Sequence, residues 1–414
     1  MIRSDMLQDQ GRYRLLHPEK VLSECIVRKE VSMHSFRTGF VFDEHFLAHD
    51  TGMETTVVMR HGSFELSPEP HPSSVLITRK IKQFLDGSGL AACMLPIAAR
   101  IASEDEIAVY HTRDYIAGMR AFAEGGPSSG SWGEVDEETV LSSGSFEAAL
   151  YAAGGAMNAV SAVMEGRVRN AYALLRPPGH HAMRNQAMGF CIFDNTTIAA
   201  HYARNRYGLE RILIVDWDVH HGNGTQDAFY QDPGVLFISL HQEKWYPKLG
   251  GELDQVGSGE GVGYTVNLPL PAGTGDRGYI AAFEQLVLPI ALQYQPQLII
   301  ITAGQDPSWL DPLAHMMVTM DGFRQMSSLM VNLAEEVCGG RLVVLQAGGY
   351  SSAYVPYCTA AVVEPLVDLD LGIVDLYATA PELERCQTVF SQDTHNALLA
   401  ARKQHGRYWN LSVP

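Results

Sequence analysis

Short apolar runs alternate with amphipathic segments along this chain, and that alternation limits the fold more than any other feature. The runs Gly39–Phe42, Ala171–Leu175, Arg211–Val215, Val235–Leu240, Tyr264–Leu268, Leu298–Thr302 and Leu342–Gln346 have strand length and strand composition. Between them Ser74–Leu85, Glu104–Val109, Asp114–Glu124, Phe146–Glu165, Asn195–Tyr207, Gly278–Tyr294 and Asp321–Val337 read as helices. Such alternation predicts an α/β fold in which a central, mostly parallel β-sheet carries helices on both faces. Ile212–Val215 is apolar on both faces, which places its strand near the middle of the sheet. Residues 365–414 are expected to form terminal helices on the sheet edge. A single domain over 36–414, preceded by an N-terminal extension at 1–35, is the expected organisation.

A chain of 414 residues with 19% charged residues can bury a large core. Its net charge of -17 argues against direct nucleic-acid binding, which needs cationic surface. No apolar run approaches membrane-spanning length, so no membrane association is expected. The first residues, Met1–Gln8, carry no apolar signal core. None of the six cysteines forms a CxxC pair, and reduced thiols in a cytoplasmic setting are the expectation. Residues 125–145 are rich in Gly and Ser with an acidic patch at Glu134–Glu138, and they predict a surface loop. A homo-oligomer, dimer or tetramer, is expected.

The chemistry concentrates just after the strand candidates. Asp216, Asp218 and His220 follow Ile212–Val215 at a spacing of two, which would set them on one face of an extended segment. Two carboxylates and an imidazole there make half of a divalent metal site. Four more segments close strands: Arg176-Pro177-Pro178-Gly179-His180-His181, Gly189-Phe190-Cys191, Gly304-Gln305-Asp306 with Asp311-Pro312-Leu313, and Gly348-Gly349-Tyr350. Ligands of open α/β sheets bind at the carboxyl ends of strands, so all can meet at one site. Asp218, His220 and Asp306 would then leave a metal position open for water and substrate. His180 and His181 would move protons near neutral pH. Tyr350 would hydrogen-bond an oxyanion opposite the metal, and the glycines before it, Gly348 included, would let backbone approach the substrate. Together these features predict metal-assisted hydrolysis of an amide.

The motifs RPPGHHA, MGFCIFDN, DWDVHHGNGTQ, DPLA and AGGY, in this order, resemble those of the histone deacetylase family, in particular its class II-like bacterial amidohydrolases. The resemblance implies an arginase/deacetylase fold, one catalytic Zn2+ per chain and hydrolysis of acetyl or related acyl groups from the Nε of acyl-lysine in peptides or proteins, with acetylpolyamines or other small acylamides as the alternative substrates. It implies Asp218, His220 and Asp306 as zinc ligands, His180 and His181 as the catalytic pair and Tyr350 as the oxyanion donor. Asp216 would orient His180 and help hold a structural K+, together with the Ser239 hydroxyl and backbone carbonyls of Asp218, His220 and Leu240. Phe190, preceded by Gly189, and Tyr246 would wall a narrow tunnel, with Trp245 competing for the second position. An acidic rim residue that grips substrate N–H groups is expected near Asp136. Leu313 stands where polyamine-selective relatives carry glutamate.

Two positions depart from common family patterns. Asn223 stands where many members have an aspartate beside the second histidine. An amide orients an imidazole without stabilising imidazolium, so His181 should titrate lower than beside a carboxylate. Gln305 replaces a Phe next to Asp306 and puts the packing behind the metal in question. A binuclear arginase-like site is disfavoured, because Gly222 and Ser308 occupy positions where arginases use aspartates. A non-catalytic acyl-lysine reader is disfavoured because the whole catalytic set is present.

Overall fold

Strands that are apolar on both faces need cover on both, and the computed structural model supplies it. It describes residues 38–411, except 60–61, 126–133, 137, 249, 379–382 and 384–386; the expected extension at 1–35 lies outside the described residues. In chain order the strands are β1 (Thr38–Val41), β2 (Met53–Met59), β3 (Gly62–Pro70), β4 (Leu95–Ile97), β5 (Glu134–Val135), β6 (Asn170–Ala173), β7 (Gln186–Ala187), β8 (Ile212–Asp216), β9 (Val235–Gln242), β10 (Thr265–Leu270), β11 (Leu298–Ala303) and β12 (Leu342–Gln346). Eight form one sheet in the order β10-β9-β8-β11-β12-β6-β1-β4. Every neighbouring pair in it is parallel.

All residues of β8, β9, β11 and β12 are buried. Leu213 and Val215 of β8 face an apolar layer that includes Phe283, Phe323 and Val362. Ile212 and Ile214 face the opposite layer, with Val160, Ala199 and Phe229. Each such side chain contributes roughly 1.5–3 kcal/mol when removed from water, which is why successive positions are apolar. The helices Asp276–Ala282, Met320–Cys338 and Val355–Val367 cover the first face. Ser145–Met164 and Asn195–Tyr207 cover the second. The C-terminal helix Gln392–His405 packs along the edge strand β10, where His405 Nε2 donates to the Asn267 carbonyl at 3.2 Å. No described helix is long and apolar enough to cross a membrane.

Chain order and space order part company at β8. From β8 the chain adds β9 and β10 on one side, then crosses back to place β11 and β12 on the other. The loops after β8 and β11 therefore leave neighbouring strands in opposite directions and open a crevice between them, the usual ligand position in such sheets.

Four expectations need correction. β4 was not expected, because Pro96 interrupts its pattern; proline is tolerated here since β4 is the edge strand. The hairpin β2–β3 forms over sequence that lacks clean alternation. The continuous helix expected over Gly278–Tyr294 is broken by a π-turn at Phe283–Val287, just before Pro289, which has no N–H to continue an α-ladder. Cys191, Cys338 and Cys358 are free buried thiols, but Cys93 is disulfide-bonded, against the expectation of reduced thiols throughout.

Candidate metal centre and active site

β8 ends at Asp216, so the segment carrying Asp218 and His220 is not the extended strand that the spacing suggested. It is a loop folded on its own carboxylates. Asp216 Oδ1 accepts the Asp218 N–H at 3.1 Å, and Asp218 Oδ1 accepts the His220 N–H at 3.0 Å. From the neighbouring strand, Asp306 Oδ1 accepts the Val219 N–H at 2.9 Å. Asp218 Oδ2 accepts the Gly348 N–H at 2.8 Å. Each carboxylate keeps its second function: His220 Nδ1 lies 3.1 Å from both Asp218 Oδ1 and Asp306 Oδ2.

Asp218, His220 and Asp306 are buried, and their ligand atoms all lie within 4.8 Å of one another, the one such cluster among the described residues. The donor set suits a divalent ion. Two carboxylates at 0% exposure with one imidazole leave negative charge away from water, a costly arrangement unless a cation is present. The space is reserved by glycine. A Cβ on Gly304 would stand 2.3 Å from Asp218 Oδ2, and one on Gly348 would stand 2.2 Å from Asp306 Oδ2. Burial, followed by the nearby Asp218 charge, pushes the Asp306 carboxyl well above its ordinary range. Gly348, expected on the substrate path, packs against the Asp218 and Asp306 carboxylates.

The histidine pair stands beside this cluster. His180 Nδ1 donates to Asp216 Oδ2 at 2.9 Å, and His181 Nδ1 donates to Asn223 Oδ1 at 2.7 Å. Asn223 is itself fixed by its amide N–H groups, one donating to the His181 carbonyl at 3.2 Å and one to Met183 Sδ at 3.0 Å. Burial opposes a charge on His180, but Asp218 and Asp216 outweigh it and lift its pKa to about 9. For His181 burial dominates, His180 and His220 add repulsion, and the pKa falls well below the ordinary value. One imidazole is thus held cationic and its neighbour neutral, 4.0 Å apart between ring centres. The Asn223 amide bond itself raises the His181 value slightly, so the lowering comes from burial and the neighbouring imidazoles.

A tunnel of about 320 Å³ leads to these groups, lined by His181, Gly189, Phe190, His220, Trp245, Tyr246, Leu313 and Tyr350. Tyr246 packs edge-to-face with His181, their ring centres 5.0 Å apart. Trp245 also borders the tunnel, with Nε1 donating to the Leu313 carbonyl at 2.8 Å, but Tyr246 is the ring that packs against His181 and His220, which favours it as the second aromatic wall beside Phe190. Phe190 stands edge-on to Tyr350, with ring centres 5.6 Å apart. Tyr350 lies 6.3 Å from the His220 ring, and burial, with Asp306 and Asp218 adding, raises its pKa well above the ordinary value, so it remains a donor. Lys244 and Lys248 line the mouth together with Glu138. Asp136 lies outside the tunnel lining, its carboxylate bonded to Gly189, Tyr246 and Thr139.

Sequence reasoning missed two supporting groups. Asp311 Oδ2 accepts the Tyr350 N–H at 2.7 Å, and Oδ1 accepts the Leu313 N–H at 2.9 Å; its position in the Asp-Pro-Leu motif was the available signal. Thr139 gave none. The doubt over Gln305 is met by neighbours: Gln346 Nε2 donates to Gln305 Oε1, Tyr172 donates to Gln346 Oε1 at 2.6 Å, and Gln305 Nε2 donates to the Ala303 carbonyl at 3.0 Å. For the K+ site, the β8–β9 register sets Asp216 opposite Ser239, while Ser239 Oγ is engaged with His241 Nδ1 at 2.9 Å.

Comparison with known proteins agrees with this geometry. A model of the histone deacetylase domain matches residues 71–366. The chain is 38% identical over 372 residues to a histone deacetylase-like amidohydrolase of Pseudomonas aeruginosa, covering 89% of this chain and 96% of that relative. It is 38% identical over 312 residues to a probable deacetylase of Archaeoglobus fulgidus, covering 74% and 84%. A polyamine deacetylase of Homo sapiens, HDAC10, is 40% identical over 277 residues, 63% of this chain and 40% of that protein. The crystal structure of the HDA15 HD domain superposes with a TM-score of 0.76 at 34% identity, covering 90% of this chain and 95% of that one. The eight-stranded parallel sheet between helix layers is the arginase/deacetylase fold. With the domain match spanning most of the sheet and every motif in family order, the chain belongs to the histone deacetylase family.

Proposed function

We propose that this protein is a zinc-dependent amidohydrolase that removes acetyl groups from the Nε of acetyl-lysine in peptides or proteins. One observation carries the reading: the buried Asp218–His220–Asp306 cluster lies at the foot of an aromatic-walled tunnel, faced by a neutral His181 and a protonated Tyr350. Asp218, His220 and Asp306 would hold the ion. When bound, Zn2+ supplies Lewis acidity toward the amide carbonyl and makes a water molecule acidic enough to react near neutral pH. His181 has its Nδ1–H tied to Asn223, which leaves Nε2 as the acceptor for the proton of that water. His180, cationic and anchored to Asp216, adds positive charge beside the site and discourages protonation of His181. Tyr350 donates to the oxygen that becomes negative, opposite the ligands. The protonated His181 then delivers its proton to the leaving amine. Phe190 and Tyr246 exclude water around the methylene stem. A structural K+ beside Asp216 and Ser239 belongs to the same proposal; the oxygen donors there are the kind that hard cations prefer.

The test is metal content measured together with hydrolysis of an acetyl-lysine peptide. About one zinc per chain is expected, as three protein ligands and an open position imply. His181→Ala should keep zinc and lose turnover, and should be more damaging than His180→Ala. Full hydrolysis by protein stripped of all metal would overturn the reading.

A further inference from the structure

Both aromatic walls of the tunnel are fastened to two nearby residues, Asp136 and Thr139. On one side, the Gly189 N–H donates to Asp136 Oδ2 at 3.0 Å and the Phe190 N–H donates to Thr139 Oγ1 at 3.0 Å. On the other, Tyr246 Oη donates to the same Asp136 Oδ2 at 3.0 Å. Asp136 Oδ1 joins the two by accepting the Thr139 N–H at 2.8 Å. The Phe190 turn needs this support. Gly189 and Phe190 both have left-handed φ, 55° and 66°, and a bulky residue keeps that conformation only where its surroundings over-determine it.

The walls also differ in what lies behind them. Inward, Tyr246 has no slack: a Cβ on Gly189 would stand 2.3 Å from His181 Cδ2 and 2.9 Å from Tyr246 Cε1. Outward, Tyr246 borders a second, open cleft of about 1180 Å³, which Asp136, Met188, Asn223 and Pro247 also line. The ring is therefore a partition between two cavities. Its outward swing is opposed by the bond from Oη to Asp136.

We propose that Asp136 is a positioning residue that sets the width of the tunnel, through Tyr246 and the Phe190 turn together, and so selects acyl-amines with a thin, unbranched stem. This deepens the acyl-lysine reading and rests on it. It differs from a direct grip on substrate backbone by Asp136, because it acts on the walls and is indifferent to substrate N–H groups.

The experiment uses zinc-loaded full-length protein and the variants Tyr246→Phe, Asp136→Asn and the double variant. Binding is measured for two hydroxamates, one with a linear alkyl linker and one with a phenyl ring in the linker. Hydrolysis is measured for an acetyl-lysine peptide and for N-pentylacetamide, which has the stem but no peptide N–H. Wild type should prefer the linear hydroxamate. Tyr246→Phe keeps the ring and loses one hydrogen bond, so the preference should fall by about fivefold. KM should rise more than kcat falls, for both substrates alike. Asp136→Asn, which also disturbs the bonds to Gly189 or Thr139, should act in the same direction and at least as strongly, and the double variant should be no worse than the poorer single one, since both remove the Tyr246–Asp136 contact. An unchanged preference in Tyr246→Phe with a wild-type melting midpoint overturns the proposal. So does a loss in Asp136→Asn confined to the peptide, which would assign the carboxylate to the substrate backbone. If wild type binds the hydroxamates but hydrolyses no acyl-lysine, the function is wrong while the width measurement stands.

Discussion

Tyr350 is half-buried, and desolvation of its hydroxyl, with the Asp306 and Asp218 charges adding, keeps it protonated and suited to donate. Removing one preorganised donor to a developing oxyanion lowers turnover on the order of 10²–10³. Tyr350→Phe should lower kcat by about that factor while zinc content stays at wild type, as read by steady-state kinetics and metal analysis on the same sample. Asn223 invites a subtler change. Replacing its amide with a carboxylate, Asn223→Asp, would favour the imidazolium form of His181 and raise its pKa. The base would then lose its neutral form at higher pH, so the acidic limb of the kcat/KM profile should move upward in pH. A limb that stays put or moves down would remove His181 from the role of base. At this scale the sequence was most legible where side-chain chemistry is scarce and dense, as in the run from Asp216 to His220 and the Gly-Gly-Tyr at 348–350. It named Asp136 and Tyr246 but was blind to the bond between them, which spans 110 positions of chain and which no local pattern encodes.

The helices and loops that position the site are joined by buried polar contacts, and His111 is one that titrates. Its Nδ1 donates to the Met183 carbonyl at 3.0 Å, and its Nε2 accepts the N–H of Asp194 at 2.9 Å. Asp194 caps the helix Asn195–Tyr207 through the Thr197 N–H at 2.9 Å. His111 thus ties the loop beyond the histidine pair to a helix end. Burial lowers its pKa to about 3. The folded-state value lies below the unfolded one, so this contribution is fully present above about pH 6.5 and declines as pH falls toward 3. His111→Gln, which cannot take up that proton, should show a shallower loss of stability between pH 6 and about 4 in urea titrations. An equally steep loss in the variant would exclude His111 as a source. Among the elements themselves, the seven long apolar runs were legible within one or two residues at their ends. β4 was not, because an edge strand can carry Pro96 and pair on one side only. The π-turn at Phe283–Val287 was not, because it leaves the apolar pattern on either side intact.

Across the whole molecule, long-range charge and local charge point in opposite directions. The net charge of -17 attracts cations in general. At the tunnel mouth, however, Lys244, Lys248 and Leu313 stand with a single Glu138. A substrate ammonium held close to the amide would meet two like charges and an apolar wall, and an unpaired charge in such a place can cost several kcal/mol. Acetyl-lysine peptides should therefore exceed acetylspermidine and acetylputrescine in kcat/KM, and Leu313→Glu should shift the ratio toward the polyamines. A clear wild-type preference for acetylpolyamines over every peptide tested would overturn the choice of substrate and leave the metal chemistry standing. The class of architecture was legible from strand–helix alternation alone. The strand order was not, and the order is what creates the crevice, because nothing local tells β11 to add beside β8 rather than beyond β10.

The loop that follows β8 has a consequence for how such a site changes over time. Asp218 holds the backbone at His220 and Gly348 with the carboxylate that it offers to the candidate metal cluster, and Asp306 holds Val219 through Oδ1 while its Oδ2 lies beside His220 Nδ1. Scaffold and proposed chemistry are therefore carried by the same side chains, and truncating either aspartate would remove backbone hydrogen bonds along with a candidate ligand. A change at Asp218 would remove two backbone hydrogen bonds together with a candidate ligand. Drift toward new specificity is left to residues that only border the tunnel, where Leu313 and the lysines at the mouth can vary without disturbing the turn that holds the ligands.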